Sequence, residues 1–192
     1  MSDHDPADGT ELPAAAPTRP GPLESRQRLR QQTDEEFSAF YRQTIRPLVG
    51  FLVNQGATVH VAADIAQDTM TSAYHRWNDL HTPKAWVYTV ASRALVRKIA
   101  STEEEPVDEV PEPTALLPRP DAIAEWEAGH DALPLLRSLP PRQRQVLAWT
   151  LAGFTPTDIA GHLGLTAETV RANLKKARRA AAAYLKAREE DQ

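Results

Sequence analysis

The sequence predicts an all-α protein: two small helical domains joined by a flexible acidic linker, the C-terminal one a helix-turn-helix. Three observations predict it. Apolar residues recur at three- and four-residue steps, with no alternating strand pattern anywhere. Charge is segregated: nine carboxylates between Glu103 and Glu127 face the single base Arg119, whereas Arg137 to Arg188 holds ten Arg and Lys against Asp158 and Glu168. Finally, residues 155–179, TPTDIAGHLGLTAETVRANLKKARR, have the spacing of two helices crossing over a tight turn.

The elements follow in chain order. Residues 1–32 are rich in proline, alanine and charge with few large apolar side chains, and read as a disordered tail. The first domain is assigned to residues 33–100. There Thr33 and Glu36 make a capping box ahead of Phe37, Phe40, Tyr41, Ile45, Leu48 and Leu52. Pro47 should kink or divide this helix, and Gly56 marks a turn. A second helix, from about Val61 to Leu80, is expected to bury Ile65, Thr69, Ala73 and Trp77. Thr82 and Pro83 start a third, running to about Ala100, with Trp86, Val87, Val90 and Ala94 as core candidates.

Residues 101–121 are the acidic linker. Pro106, Pro111, Pro113, Pro118 and Pro120 interrupt its carboxylates, so it should not fold alone. It reads equally as a solvated spacer or as a mask over the basic domain that follows. The second domain is assigned to residues 122–187. A helix near Ala122 to Gly129 leads to Leu133, Leu135, Leu136 and Leu139; Pro140 and Pro141 then open a helix whose Val146, Leu147 and Leu151 should pack inward before Gly153 ends it. Residues 188–192 should fray.

In the helix-turn-helix, Thr155 caps a first helix, Pro156 suits its first position, and Asp158 sits at the positive end of its dipole. Ile159 and Leu163 form the buried stripe. Gly164 supplies a left-handed turn, and Leu165 folds inward. Thr166 caps the second helix, with Val170, Leu174 and Ala177 toward the core. Ala160, Gly164 and Val170 make the small–glycine–branched spacing of a DNA-binding pair. The outward face carries Glu168, Arg171, Lys175 and Arg178, the candidates for reading a DNA groove.

Composition narrows the function. The chain of 192 residues has formal net charge −4, but its C-terminal part is basic enough to attract polyanions. It contains no cysteine and no apolar run of about 18 residues, so disulfides, thiolate metal sites and a membrane span are not expected, and a cytoplasmic location is. No phosphate loop, nucleophile elbow or zinc-binding histidine pair occurs, and the six histidines lack metal-ligand spacing. Neither catalysis, a metal nor a cofactor is called for. Asp64, Gln67 and Asp68 instead share a polar helix face. Thr89, Arg93 and Arg97, with Lys98 beside them, form a polar and basic stripe near Trp86 and Tyr88, a combination suited to single-stranded or melted DNA.

These residues resemble the extracytoplasmic-function (group IV) sigma factors, the dissociable promoter-recognition subunits of bacterial RNA polymerase. Asp64, Gln67 and Asp68 are similar to the polymerase-binding helix of that family's region 2. Pro83, Ala85, Trp86, Val90 and Ala91 follow its next segment, which melts and reads the −10 element. The stretch from Leu136 to Arg178 is similar to region 4, whose recognition helix reads the −35 element. The resemblance spans about Asp34 to Leu185 apart from the linker. It departs at Met70, where an aromatic is common; at Arg93 and Arg97, where Asn and Asp are frequent; and at Asn173, often basic. It implies core RNA polymerase and promoter DNA as partners, with an anti-sigma protein as a further candidate. By this resemblance Asp64, Gln67 and Asp68 would meet polymerase, Thr89, Arg93, Arg97 and Lys98 the −10 strand, and Arg171 and Lys175 the −35 groove. The alternative reading is a helix-turn-helix regulator that binds DNA without polymerase.

Overall fold

A computed structural model describes residues 21–104 and 133–190. Among them every element is helical: α1 (Pro22–Asn54), α2 (Val59–His75), a 3-10 turn (Trp77–Asp79), α3 (Pro83–Glu104), α4 (Leu133–Ser138), α5 (Pro141–Leu151), α6 (Pro156–Leu163) and α7 (Ala167–Glu190). The helix expected near Ala122 lies outside the described residues.

The N-terminal half is a three-helix unit in which α2 and α3 pack on α1. Leu48, Phe51 and Leu52 of α1 meet Ala62, Ala66, Met70 and Ala73 of α2 and Val87, Ala91 and Leu95 of α3, all buried. Alanines along α2 allow close approach of the helices, and Met70 fills the remaining irregular space. Thr58 caps α2, its hydroxyl accepting from the Val61 amide at 3.3 Å. Gly56, at φ 109°, makes the preceding turn in a conformation that side-chain-bearing residues rarely adopt. At the far end Phe37 and Phe40 of α1 meet Tyr74 of α2 and Trp77 of the 3-10 turn, with centroids 5.0–5.2 Å apart.

Several boundaries differ from expectation. Helix α1 begins at Pro22 rather than Thr33, so residues 22–32 belong to the helix and not to a tail. Thr33 is consequently an interior residue, its hydroxyl donating to the Leu29 carbonyl at 2.9 Å instead of capping. The added turns hold Leu, Arg, Glu and Gln, all good helix formers, and Gln32 donates to Glu36 at 2.9 Å. Pro47 lies inside α1 without dividing it. Helix α3 runs on through residues 101–104, shortening the linker, and α7 continues to Glu190, where Lys186 pairs with Glu190 at 3.7 Å.

The C-terminal half packs α5 and α6 on α7. Leu133, Leu135, Leu136 and Leu139 are all buried. Leu151, expected inside, is instead 62% exposed, and Trp149 takes the central place at 0%. The two halves share one core. Helix α5 packs against α1, and Trp149 stands edge-on to Phe51 with centroids 5.1 Å apart.

Candidate nucleic-acid interface

The helix-turn-helix is built by local chemistry at both ends of α6. The Asp158 amide donates to the Thr155 hydroxyl at 3.3 Å, and the Thr155 amide donates to the Asp158 carboxylate at 3.0 Å, a reciprocal capping box. The Thr155 hydroxyl adds a 2.6 Å bond to the same carboxylate. These bonds, the hydroxyl's first, hold the Asp158 carboxyl below its ordinary value of 3.8. At the other end Gly164 adopts φ 65°, ψ 36°, and the amides of Gly164 and Leu165 return to the Ala160 carbonyl. Thr166 caps α7 by accepting from the Thr169 amide at 3.1 Å. Ala160 and Val170 are buried at the crossing, with Ile159, Leu174 and Ala177 beneath.

The depressed Asp158 value has a consequence with a definite sign. A carboxyl whose folded value lies below its unfolded one contributes stability above the unfolded value and loses it as pH falls through the folded one. The stability gap between wild type and Asp158→Asn should therefore be full at neutral pH and narrow below the ordinary 3.8. Urea midpoints of both proteins, compared from about pH 7 to about pH 3, check this. A gap that stays constant would show that the carboxylate's charge contributes nothing to the cap.

The outward face of α7 is a basic strip. Glu168, Arg171, Lys175 and Arg178 are all exposed. Arg171, Lys175 and Arg178 line one open groove with Thr150, Pro156 and Arg179. Arg179 was not among the sequence candidates, although it lies four residues after Lys175 and so on the same side of the helix. Asn173 is half-buried and donates to the Thr169 carbonyl at 2.9 Å, which spends its amide on the helix itself.

Two patches lie on the N-terminal half. Asp64, Gln67 and Asp68 are exposed together on α2, and Gln67 is fixed by the Tyr41 hydroxyl, which accepts from its amide at 3.0 Å. On α3, Arg93, Arg97 and Lys98 are exposed, flanked by exposed Val96 and Ile99. Thr89 departs from this group. Its hydroxyl donates to the Ala85 carbonyl at 2.8 Å and meets His162 Nδ1 of α6 at 3.0 Å. It is half-buried beneath the C-terminal half and not on an open stripe with the arginines. The reason is tertiary contact, which helical periodicity does not encode. Trp86 is half-buried against the core, and burial pushes the neighbouring Tyr88 phenol up from its ordinary value. Among the described residues there is no cluster of His, Asp and Glu fit to hold a metal ion, and no helix is long and apolar enough to cross a membrane.

Residues 132–180 match the family described as Sigma-70, region 4. Among solved structures the chain is similar to the sigma factor RpoE from Bartonella quintana, determined with the anti-sigma factor NepR. That likeness has TM-score 0.58 and 20% identity, and covers 79% of this chain and 98% of that one. It is also similar to CnrH, determined in complex with the cytosolic domain of CnrY, with TM-score 0.58, 21% identity, and coverage of 80% of this chain and 90% of that one. No curated protein matches the chain. Residues 132–180 therefore match the sigma-70 region 4 family, and the chain shares its fold with the sigma factor RpoE and with CnrH.

Proposed function

We propose that this protein is a sigma factor that binds core RNA polymerase and directs initiation at promoters by recognising −10 and −35 elements. The observation that carries the reading is the region 4 match over a helix-turn-helix whose exposed face is basic. A helix of this kind enters the major groove with its exposed side chains toward the base edges. Arg171 and Lys175 are assigned to the −35 duplex, with Glu168 and Arg178 at its margins. Arg93, Arg97 and Lys98 are assigned to the −10 strand, where cations neutralise phosphates beside exposed apolar surface. The acidic face of Asp64, Gln67 and Asp68 is assigned to polymerase. The solved relatives were determined with NepR and with the cytosolic domain of CnrY, which supports a protein antagonist as a further partner.

The test is to mix the purified chain with core polymerase and a promoter library. Co-elution and transcripts from particular promoters support the reading. Sequence-specific duplex binding without any association with polymerase would replace it by a regulator acting alone.

The −35 assignment yields its own expectation. Arg171→Ala should weaken binding by about 1–3 kcal/mol and relax the sequence preference at one position, as loss of a guanine-reading arginine does. Affinities across single-base variants of the preferred duplex check it. A uniform loss on every sequence, with a shallower salt dependence, would make Arg171 a phosphate contact.

A further inference from the structure

Three features serve neither the core nor the basic faces, and all three meet at one cleft. Pro47 sits inside α1, where it has no amide to give and costs the helix an internal hydrogen bond. Leu151 ends α5 with 62% of its surface exposed. Tyr88 and Thr44 are buried, at 2% and 8% exposed, yet neither hydroxyl has a hydrogen-bond partner among the described residues. Together with Phe51 and Lys84, these side chains line a cavity of about 440 Å³ where α1, α3 and α5 converge.

The lining has an apolar wall and a polar head. The wall is the Phe51 ring, Pro47 and, at the mouth, exposed Leu151, while Gly50 adds no side chain. A volume of this size takes a body of one or two rings. The head is rich in donors and carries positive charge. Lys84 Nζ lies 5.8 Å from the centroid of the Tyr88 ring, which follows it by one turn of α3, and it donates to the neutral Ala152 carbonyl at 3.2 Å. An ammonium has three hydrogens, so that bond leaves it two to give. None of the residues lining the cleft is Asp or Glu, so no carboxylate there answers the charge. Burial pushes the Tyr88 phenol up from its ordinary value, so it keeps its proton at neutral pH and remains a donor. A buried hydroxyl that meets nothing is costly, and an acceptor on a ligand removes that cost.

We propose that this cleft binds a small organic carboxylate: the carboxylate accepts from Lys84 and Tyr88, with Thr44 as a further donor, and a body of one or two rings rests on Phe51, Pro47 and Leu151. The charge selects an acid over its amide, because a hydrogen bond between ionised groups is about twice as strong as one between neutral groups. The wall selects a ring-bearing acid over acetate, which would leave Leu151 in water. A phosphate ester brings nearly two charges where the cleft offers one cation, so a single carboxylate is the better match. The site does not depend on what the basic faces of α3 and α7 hold, and it stands or falls apart from the sigma-factor reading.

The test is calorimetric titration of the full chain with three probes that share one body and differ in head group: naphthoate, naphthamide and naphthylmethylammonium. Naphthoate should saturate a single site with a dissociation constant below about 1 mM. The amide should bind at least about tenfold more weakly, and the ammonium should not saturate. Lys84→Gln keeps a donor toward the Ala152 carbonyl but removes the charge; it should weaken naphthoate at least about tenfold and leave naphthamide within about twofold. Leu151→Ser changes an exposed position and should weaken naphthoate and naphthamide by the same factor. Circular dichroism confirms the helicity of each variant. Failure of naphthoate to saturate by about 10 mM would mean that the cleft holds water alone, and would overturn the proposal. Equal binding of the three probes, which is apolar adsorption, overturns it too, as does full naphthoate affinity in Lys84→Gln. Should Lys84→Gln lose helicity, the head-group series on wild type and the Leu151→Ser pair still decide.

Discussion

Trp149→Ala is expected to cost about 3–5 kcal/mol of folding stability, the range for deleting a fully buried aromatic side chain. The indole is 0% exposed and touches rings from both halves: Phe51 at 5.1 Å and Tyr88 at 6.5 Å from one, Phe154 at 4.8 Å and His162 at 5.0 Å from the other. Its removal leaves a cavity that four surrounding rings cannot all move to fill. Whole-domain stabilities are only about 5–15 kcal/mol, so the loss is a large share of the total. The second expected effect is uncoupling. With Trp149 gone the halves keep smaller contacts, among them Tyr88 with Phe154, Thr89 with His162, Lys84 with Ala152 and Arg144 with Gly56, and their unfolding should become less cooperative. Urea unfolding followed by far-ultraviolet and near-ultraviolet dichroism checks both points. Trp149→Phe should cost much less, because phenylalanine keeps most of the apolar contact and removes the unpartnered Nε1. A loss below about 1 kcal/mol for the alanine variant, less than burial of even a small apolar side chain is worth, would mean that Trp149 is not where the structure puts it.

Trp149 also marks the limit of what one sequence discloses. The helix-turn-helix is legible because its determinants are local: a threonine three residues before an aspartate, a proline at the first helical position, and a glycine where the backbone turns left-handed. Each acts through backbone groups a few residues away, so spacing alone carries the information. The face of α3 is less legible. Val87 is buried as expected, but Trp86, Val90 and Ala94 are only half-buried, and the deepest apolar positions are Val87, Tyr88, Ala91 and Leu95. Tyr88 is buried because Trp149 and Phe154 come over it, a contact between residues far apart in sequence. The same contact separates Thr89 from the exposed arginines of α3, and α5 presents Trp149 rather than Leu151 to it. The first turns of α1 were hidden for the opposite reason. Residues 22–32 carry little apolar periodicity, and their helicity rests on propensity and on continuation from a packed helix. Of the three candidate faces, the α2 and α7 groups each lie together on open surface, because each sits on one rigid helix.

Asp68→Arg is expected to reduce the affinity of the chain for core polymerase by several kcal/mol while leaving its fold intact. Asp64 and Asp68 stand one helical turn apart on exposed α2 surface, with Gln67 held between them by Tyr41. Neither carboxylate supports the core, which lies on the side of Ala62, Ala66, Thr69 and Ala73. Helicity and melting temperature should therefore stay close to those of wild type. In a docked complex the change removes one attraction and sets a guanidinium against the basic surface that a carboxylate face recruits, and like charges brought together at an interface cost several kcal/mol. Each 1.4 kcal/mol is about a factor of ten in the dissociation constant, so a loss near 3 kcal/mol reads as roughly a hundredfold weaker binding. Asp68→Asn removes the attraction without adding repulsion and should fall between the two. The three proteins are compared by competition for core polymerase at one fixed salt concentration, since screening shrinks every electrostatic difference. A graded loss from aspartate through asparagine to arginine assigns the face. If the arginine variant binds as tightly as wild type, polymerase contacts this chain elsewhere, and the pairing of Asp64 with Asp68 is only a solvated helix surface.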